Sequence, residues 1–347
     1  SVMPESVLKK AGAEILNYHG TGMSVMEMSH RSAAFQEIFD STKAALKAAL
    51  KVPDSHEILF LQGGATLQFA AIPMNLMRGG AADYAVTGNF SGKAAREAAK
   101  YGTVHIAADT SATGHDRIPA QAELAESADA KYFYYCANNT IYGTEWQYVP
   151  KVSAPLVCDM SSDILSKPID AAGYGLIYAG AQKNMAPAGL TVVIIDKSLA
   201  GHEMGITPEI MSYKTLIEKD SMLNTPPCWC IYMLELTLEW LRDQGGVEAM
   251  AQLKRERAGL IYDVLDESRL YIAHAERGSR SDMNVTFRTP SPELDAEFIK
   301  GAAARGLVNV KGHKLAGGMR ASLYNAMPIE GAEALAEYMK EFEVRHV

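Results

Sequence analysis

Lys183 lies in a loop of small residues between two apolar, β-branched runs, Gly175 to Ala179 and Leu190 to Ile195. Such runs read as buried strands. A lysine held where water is scarce loses part of its preference for the ammonium form, and its neutral amine can attack a carbonyl. Lys183 is therefore a candidate for Schiff-base chemistry; the alternative is a loop lysine with its head in water. Upstream, Pro155 to Ser162 reads as a short buried strand ending in Asp159 and followed by small hydroxyl residues. A lysine and a carboxylate at the ends of neighbouring strands are the two anchors that pyridoxal 5'-phosphate requires. The lysine holds its aldehyde, and the carboxylate keeps the ring nitrogen protonated so that the ring accepts electrons.

Other residues have the types needed around such a pair. Gly63-Gly64 joins a strand, Glu57 to Leu61, to a helix expected from Thr66 to Met77. Strand, glycine turn and helix outline a phosphate cradle, because the backbone comes close and the helix end offers N–H donors. His30 and Arg31 precede a helix expected from about Ser32 to Leu50, again a place that favours anions; the alternative is a surface pair ending a loop. Phe90, Thr140, Asp159 and Lys183 all follow strand ends.

The elements alternate strand and helix to about residue 196, which indicates a mainly parallel, three-layer α/β sheet with its site at the strands' carboxyl ends. An opening helix should bury Val7, Leu8, Ala11, Ile15 and Leu16, and the segment Cys228 to Gln244, apolar nearly all round, reads as a buried or subunit-interface helix. Gly245-Gly246 marks a boundary between a large domain, residues 1–246, and a smaller α/β domain, residues 247–347. The small domain should contain strands near Tyr271, Met283 to Phe287, Leu307 to Val310 and Gly318 to Leu323. The N-terminal segment has the option of packing on the small domain.

At 347 residues the chain is long enough for two cores. A formal charge of −8 argues against a nucleic-acid partner, so any anionic ligand must meet local positive groups. The four cysteines, Cys136, Cys158, Cys228 and Cys230, form no Cys-x-x-Cys pair and suggest a reducing, cytoplasmic setting. No metal site is expected, and no apolar run reaches the roughly eighteen residues of a membrane span.

Gly175 to Asn184, Asn224-Thr-Pro-Pro227, Ser29-His-Arg31, and Lys311-Gly-His continuing through Gly317 to Pro328 resemble, in order, the motifs of the phosphoserine aminotransferases. These are class V, fold type I enzymes that use pyridoxal phosphate. The resemblance runs nearly end to end, and it implies residues ahead of Ser1, where relatives carry a short Gly-Pro lead-in. It implies that Lys183 and Asp159 are catalytic, that Gln182 lies beside them, that Phe90 covers the cofactor ring, and that Thr140 contacts the cofactor. Ala65 and Thr66 would hold its phosphate, with alanine and threonine where many relatives have glycine and arginine. Asn224 and Thr225 would reach the phosphate of the neighbouring subunit, making the active unit a homodimer with shared sites.

Arg320 would take the substrate α-carboxylate, while His30, Arg31, His313 and Lys314 would take the distal anion. Lysine stands at 314 where many relatives have arginine. The expected reaction converts O-phospho-L-serine and 2-oxoglutarate to 3-phosphohydroxypyruvate and L-glutamate, in serine biosynthesis. The resemblance also allows phosphohydroxythreonine, in pyridoxine synthesis, as a further substrate of the same site, as in bacterial relatives. The alternatives are another class V enzyme such as a small-amino-acid:2-oxo-acid aminotransferase, a cysteine desulfurase, and a non-enzymatic cofactor-binding module. A desulfurase needs a mobile cysteine in the small domain, and all four cysteines precede residue 231.

Overall fold

The structure, a computed structural model, describes residues 1–347. Helices α1 (Glu5–Glu14) and α2 (Ala33–Leu50) lead into β1 (His56–Leu61), α3 (Gly64–Ile72), β2 (Ala81–Val86), α4 (Asn89–Ala98), β3 (Thr103–Asp109) and β4 (Ala130–Cys136). A small hairpin, β5 (Asn138–Asn139) and β6 (Thr144–Glu145), precedes β7 (Leu156–Asp159), β8 (Leu176–Gly180) and β9 (Thr191–Asp196). Helices α5 (Tyr213–Glu218), α6 (Cys228–Asp243) and α7 (Gly246–Glu267) follow. The C-terminal part adds β10 (Ile272–Ala273), β11 (Asn284–Arg288), α8 (Pro292–Ala304), β12 (Met319–Ser322) and α9 (Ile329–His346).

Seven strands form the main sheet in the order β1-β9-β8-β7-β4-β2-β3. Only β9 runs against the others, pairing antiparallel with β1 and β8. Alternate residues of each strand enter different cores, as the two-residue strand period requires. Phe133 and Tyr135 face the core built with α2 and α6, whereas Tyr132 and Tyr134 face the core built with α3 and α4. Both faces are covered, which is why these strands read as nearly continuous apolar runs. A third core joins the second half of α7 with α8, α9 and the antiparallel sheet β10-β11-β12. Because Val247 and Met250 belong to the first core and Ala258 to Leu265 to the third, α7 is the beam between them.

Several expectations need correction. In α1, Val7 and Ala11 are buried and Leu8 is exposed, and Ile15 and Leu16 just past its end are exposed, Leu16 by 83%. This N-terminal segment packs into the first core through Val7, Ala11 and Tyr18. The helix expected from Thr66 starts at Gly64, then widens into a π-type turn over Pro73–Met77, where Pro73 has no N–H to continue an α-helical ladder. Residues 307–310 form no strand; the pairing shrinks to an isolated bridge between Lys311 and Met319. The hairpin β5-β6 was not anticipated, since its strands are only two residues long.

That hairpin is held from both sides. The Asn138 side-chain amide donates to the Ser162 hydroxyl and to Asn284 Oδ1, each at 2.8 Å. At its end, the fully buried Glu145 accepts from Lys167 at 2.6 Å and from Lys254 of α7 at 2.9 Å. Burial opposes the Glu145 charge, but the two ammonium groups outweigh it and hold the carboxyl at about 2. Removing one partner of such a buried pair costs about 3–5 kcal/mol, so the knot fixes the hairpin turn that carries Thr140.

Candidate active site

Lys183 follows β8 by three residues, in a turn closed by backbone bonds. Ala181 donates its N–H to Leu190 at 3.0 Å, and Met185 and Ala186 donate theirs to the Ala181 carbonyl. The half-buried Lys183 ammonium donates to the Thr140 hydroxyl at 3.1 Å and lies 5.8 Å from the centre of the Phe90 ring. Arg320, on β12, donates from Nη1 to the Thr140 carbonyl at 3.3 Å. Thr140 is thus the meeting point of a lysine that follows the main sheet and an arginine of the three-stranded sheet.

Asp159 ends β7 and is 5% exposed. Its Oδ1 accepts the N–H of Ser161 at 2.9 Å. The Ser161 hydroxyl in turn accepts the N–H of Gly180, the last residue of β8, at 3.0 Å. Ser161 therefore ties the strand end bearing the carboxylate to the strand end leading to the lysine. The sequence offered a signal for it, two hydroxyl residues after Asp159, but no way to choose its partner.

The start of α3 is shaped to receive an anion. Gly63 caps it at φ 91°, and no side chain satisfies the first-turn N–H groups. That φ lies in the left-handed region glycine tolerates, and a Cβ there would also come within 2.5 Å of the Leu67 side chain. Gly63 and Thr66 share a groove of about 670 Å³ with Phe90 and Lys93, so the helix end and the ring over Lys183 border one space.

His313 and Lys314 occupy a tight turn before β12, in which Ala316 and Gly317 donate their N–H groups to the His313 carbonyl. Gly318, at φ 57°, is required there because a Cβ would meet the Phe287 carbonyl at 2.4 Å. Desolvation, then the charges of Arg320, Lys314 and Lys93, push the His313 imidazole below its usual value.

Of the remaining expected residues, Asn224, Thr225, His30 and Arg31 make no bond to the Lys183 group within the single chain. Asn224 and Thr225 are exposed. Asn224 donates to Gln62 Oε1 at 2.8 Å, and the Gln62 amide donates to the Thr225 carbonyl at 3.3 Å. His30 is half-buried and Arg31 exposed, in the turn before the Ser32 cap of α2, and neither bonds to the Lys183 group. Gln182 is exposed, with its backbone carbonyl accepting from the Ser1 hydroxyl at 2.9 Å. Ala65 stands half-buried in the first turn of α3. All four cysteines are free, and burial pushes every one of their thiols up, away from the reactive thiolate.

The sequence model described as Aminotransferase class-V matches residues 1–335. A phosphoserine aminotransferase of Nitrosomonas europaea is 48% identical over 356 residues, covering 100% of this chain and 97% of that protein. A solved phosphoserine aminotransferase, described for radiation damage of its Schiff base, superposes with a TM-score of 0.98 at 46% identity, over 99% of this chain and 97% of that one. The pyridoxal-phosphate-bound phosphoserine aminotransferase of Trichomonas vaginalis gives a TM-score of 0.94 at 38% identity, over 98% and 97% of the two chains.

Proposed function

The chain belongs to the class-V aminotransferase family, and from that membership we infer how its residues divide the work. It is a pyridoxal-phosphate-dependent phosphoserine aminotransferase: O-phospho-L-serine and 2-oxoglutarate give 3-phosphohydroxypyruvate and L-glutamate, in the formation of L-serine. The observation that carries the assignment of residues is the Lys183 group itself. An amine and an arginine converge on Thr140, with the Phe90 ring near the amine, beside a buried carboxylate and an open helix end.

The residues present fit the cofactor. Gly63, Gly64, Ala65 and Thr66 would hold its phosphate through backbone N–H groups and the Thr66 hydroxyl. Phe90 would cover its ring, Asp159 would face the ring nitrogen, Thr140 and Gln182 would flank it, and Lys183 would hold its aldehyde carbon. When bound, pyridoxal phosphate supplies an aldehyde for the amino group and an electron-accepting ring for the α-carbon electrons.

Asp159, buried and fixed by Ser161, would keep a proton on the ring nitrogen. The Lys183 amine would act as base and acid, taking a proton from the substrate α-carbon and returning one. Arg320 fits the substrate α-carboxylate, because a planar guanidinium matches it in two places. His30, Arg31, His313 and Lys314 serve the distal phosphate or carboxylate. Asn224 and Thr225, exposed and turned to Gln62, serve the phosphate site of a second subunit, which makes the active unit a homodimer. The exposed Leu8, Ile15 and Leu16 support an association of this kind. Residues 1–246 act as the cofactor-binding domain and 247–347 as the smaller one. No helix is long and apolar enough to cross a membrane, and the free cysteines favour a reducing, cytoplasmic setting.

Lys183→Ala tests the reading at its centre. The variant should lose transamination and the visible absorption of lysine-bound cofactor, and full activity in it would overturn the assignment.

A further inference from the structure

Lys93 belongs to no motif singled out in the sequence, yet its ammonium lies 5.9 Å from the centre of the same Phe90 ring that Lys183 approaches at 5.8 Å. It is exposed and stands one turn into α4, near the helix end whose dipole disfavours cations. On the other side of the site, the positive charge of Lys93 is felt by His313 together with those of Arg320 and Lys314. None of Lys93, Lys183, Lys314 and Arg320 has a carboxylate oxygen within 4.0 Å. In a chain with 41 acidic residues against 33 lysines and arginines, four cations around one site that form no ion pair with a carboxylate are poised for an anion from outside.

We propose that Lys93 is a specificity-determining residue, a large-domain cation that meets the distal anion opposite His313 and Lys314 and favours a phosphate over a carboxylate. The proposal rests on the substrate reading given above. The physical reason is charge: a phosphomonoester carries about −1.5 to −2 near neutral pH and a carboxylate −1, so an added cation favours the former. Phe90 supports the placement, since an ammonium over its face is held without being neutralised.

The test uses the cofactor-loaded enzyme and three amino donors: phosphoserine, glutamate and alanine, which has no distal anion. Lys93→Gln should lower kcat/KM for phosphoserine about tenfold, mainly through KM, and for glutamate about threefold. Alanine should be unaffected. Lys93→Arg should restore most of the loss, and added salt should depress phosphoserine turnover more in the wild type than in Lys93→Gln. An equal loss for all three donors, or no loss for phosphoserine, would overturn the role of Lys93. If the wild-type enzyme itself fails to transaminate phosphoserine, the substrate reading falls instead.

Discussion

The Ser161 hydroxyl accepts the backbone N–H of Gly180 at 3.0 Å while the Ser161 N–H donates to Asp159. One residue thereby sets the spacing between the strand ends that carry Asp159 and Lys183. Ser161→Ala should leave a buried N–H without a partner, costing about 1–3 kcal/mol. We expect a lower melting temperature and a reduced kcat with little change in KM for phosphoserine. A variant with wild-type kcat would show that the link does not position the pair.

Shared sites can be tested by complementation. Asn224→Ala in one chain and Lys183→Ala in another should each be nearly inactive as homodimers. Mixed after refolding or co-expression, they should recover activity, because one site of each heterodimer then has both residues intact. Absence of recovery at every mixing ratio would place Asn224 outside the partner's site.

Arg320 and Arg31 should differ in what they discriminate. Every amino donor presents an α-carboxylate, so Arg320→Ala should weaken phosphoserine, glutamate and alanine alike. Arg31→Ala should weaken phosphoserine and glutamate by about ten- to a hundredfold, the range expected for roughly 1.5–3 kcal/mol of charge-assisted contact, and spare alanine. Kinetics with the three donors decide between this and a structural role for Arg31, which would reduce all three equally.

Burial pushes the Asp163 carboxyl up to about 6, with Lys167 and Lys254 opposing and Glu145 adding to the rise. A carboxyl whose value is raised in the folded protein binds its proton more tightly there than in the unfolded chain. Its ionisation therefore disfavours folding, increasingly so as pH rises from about 4 to about 6, and fully above that. Asp163→Asn should stabilise the protein at pH 8 and do so less at pH 5, the difference being on the order of 1 kcal/mol. Glu145 has the opposite sign: its contribution is complete above its usual 4.5 and is lost as pH falls through about 2. Denaturant titrations at the two pH values measure the difference, and equal effects at both would mean that Asp163 is ionised throughout.

Sequence by itself determined the strand-bound pair Asp159 and Lys183, the parallel sheet and the glycine turn before α3. These rest on local facts, namely residue type, a period of two and backbone freedom at glycine, each expressed within a few consecutive residues. Motif resemblance added Thr140, Phe90 and Arg320. Only the tertiary structure decided that Thr140 bonds Lys183 through its hydroxyl and Arg320 through its carbonyl. It also decided that Ser161 bridges two strand ends, and that Lys93 approaches the same Phe90 ring as Lys183. Each of these joins residues distant in the chain through strand order and the packing of the small sheet on a two-residue hairpin, and such contacts leave no periodic trace. The same holds for Leu8, Ile15 and Leu16: helical spacing selected a face for them, but whether that face is covered depends on what packs beside it.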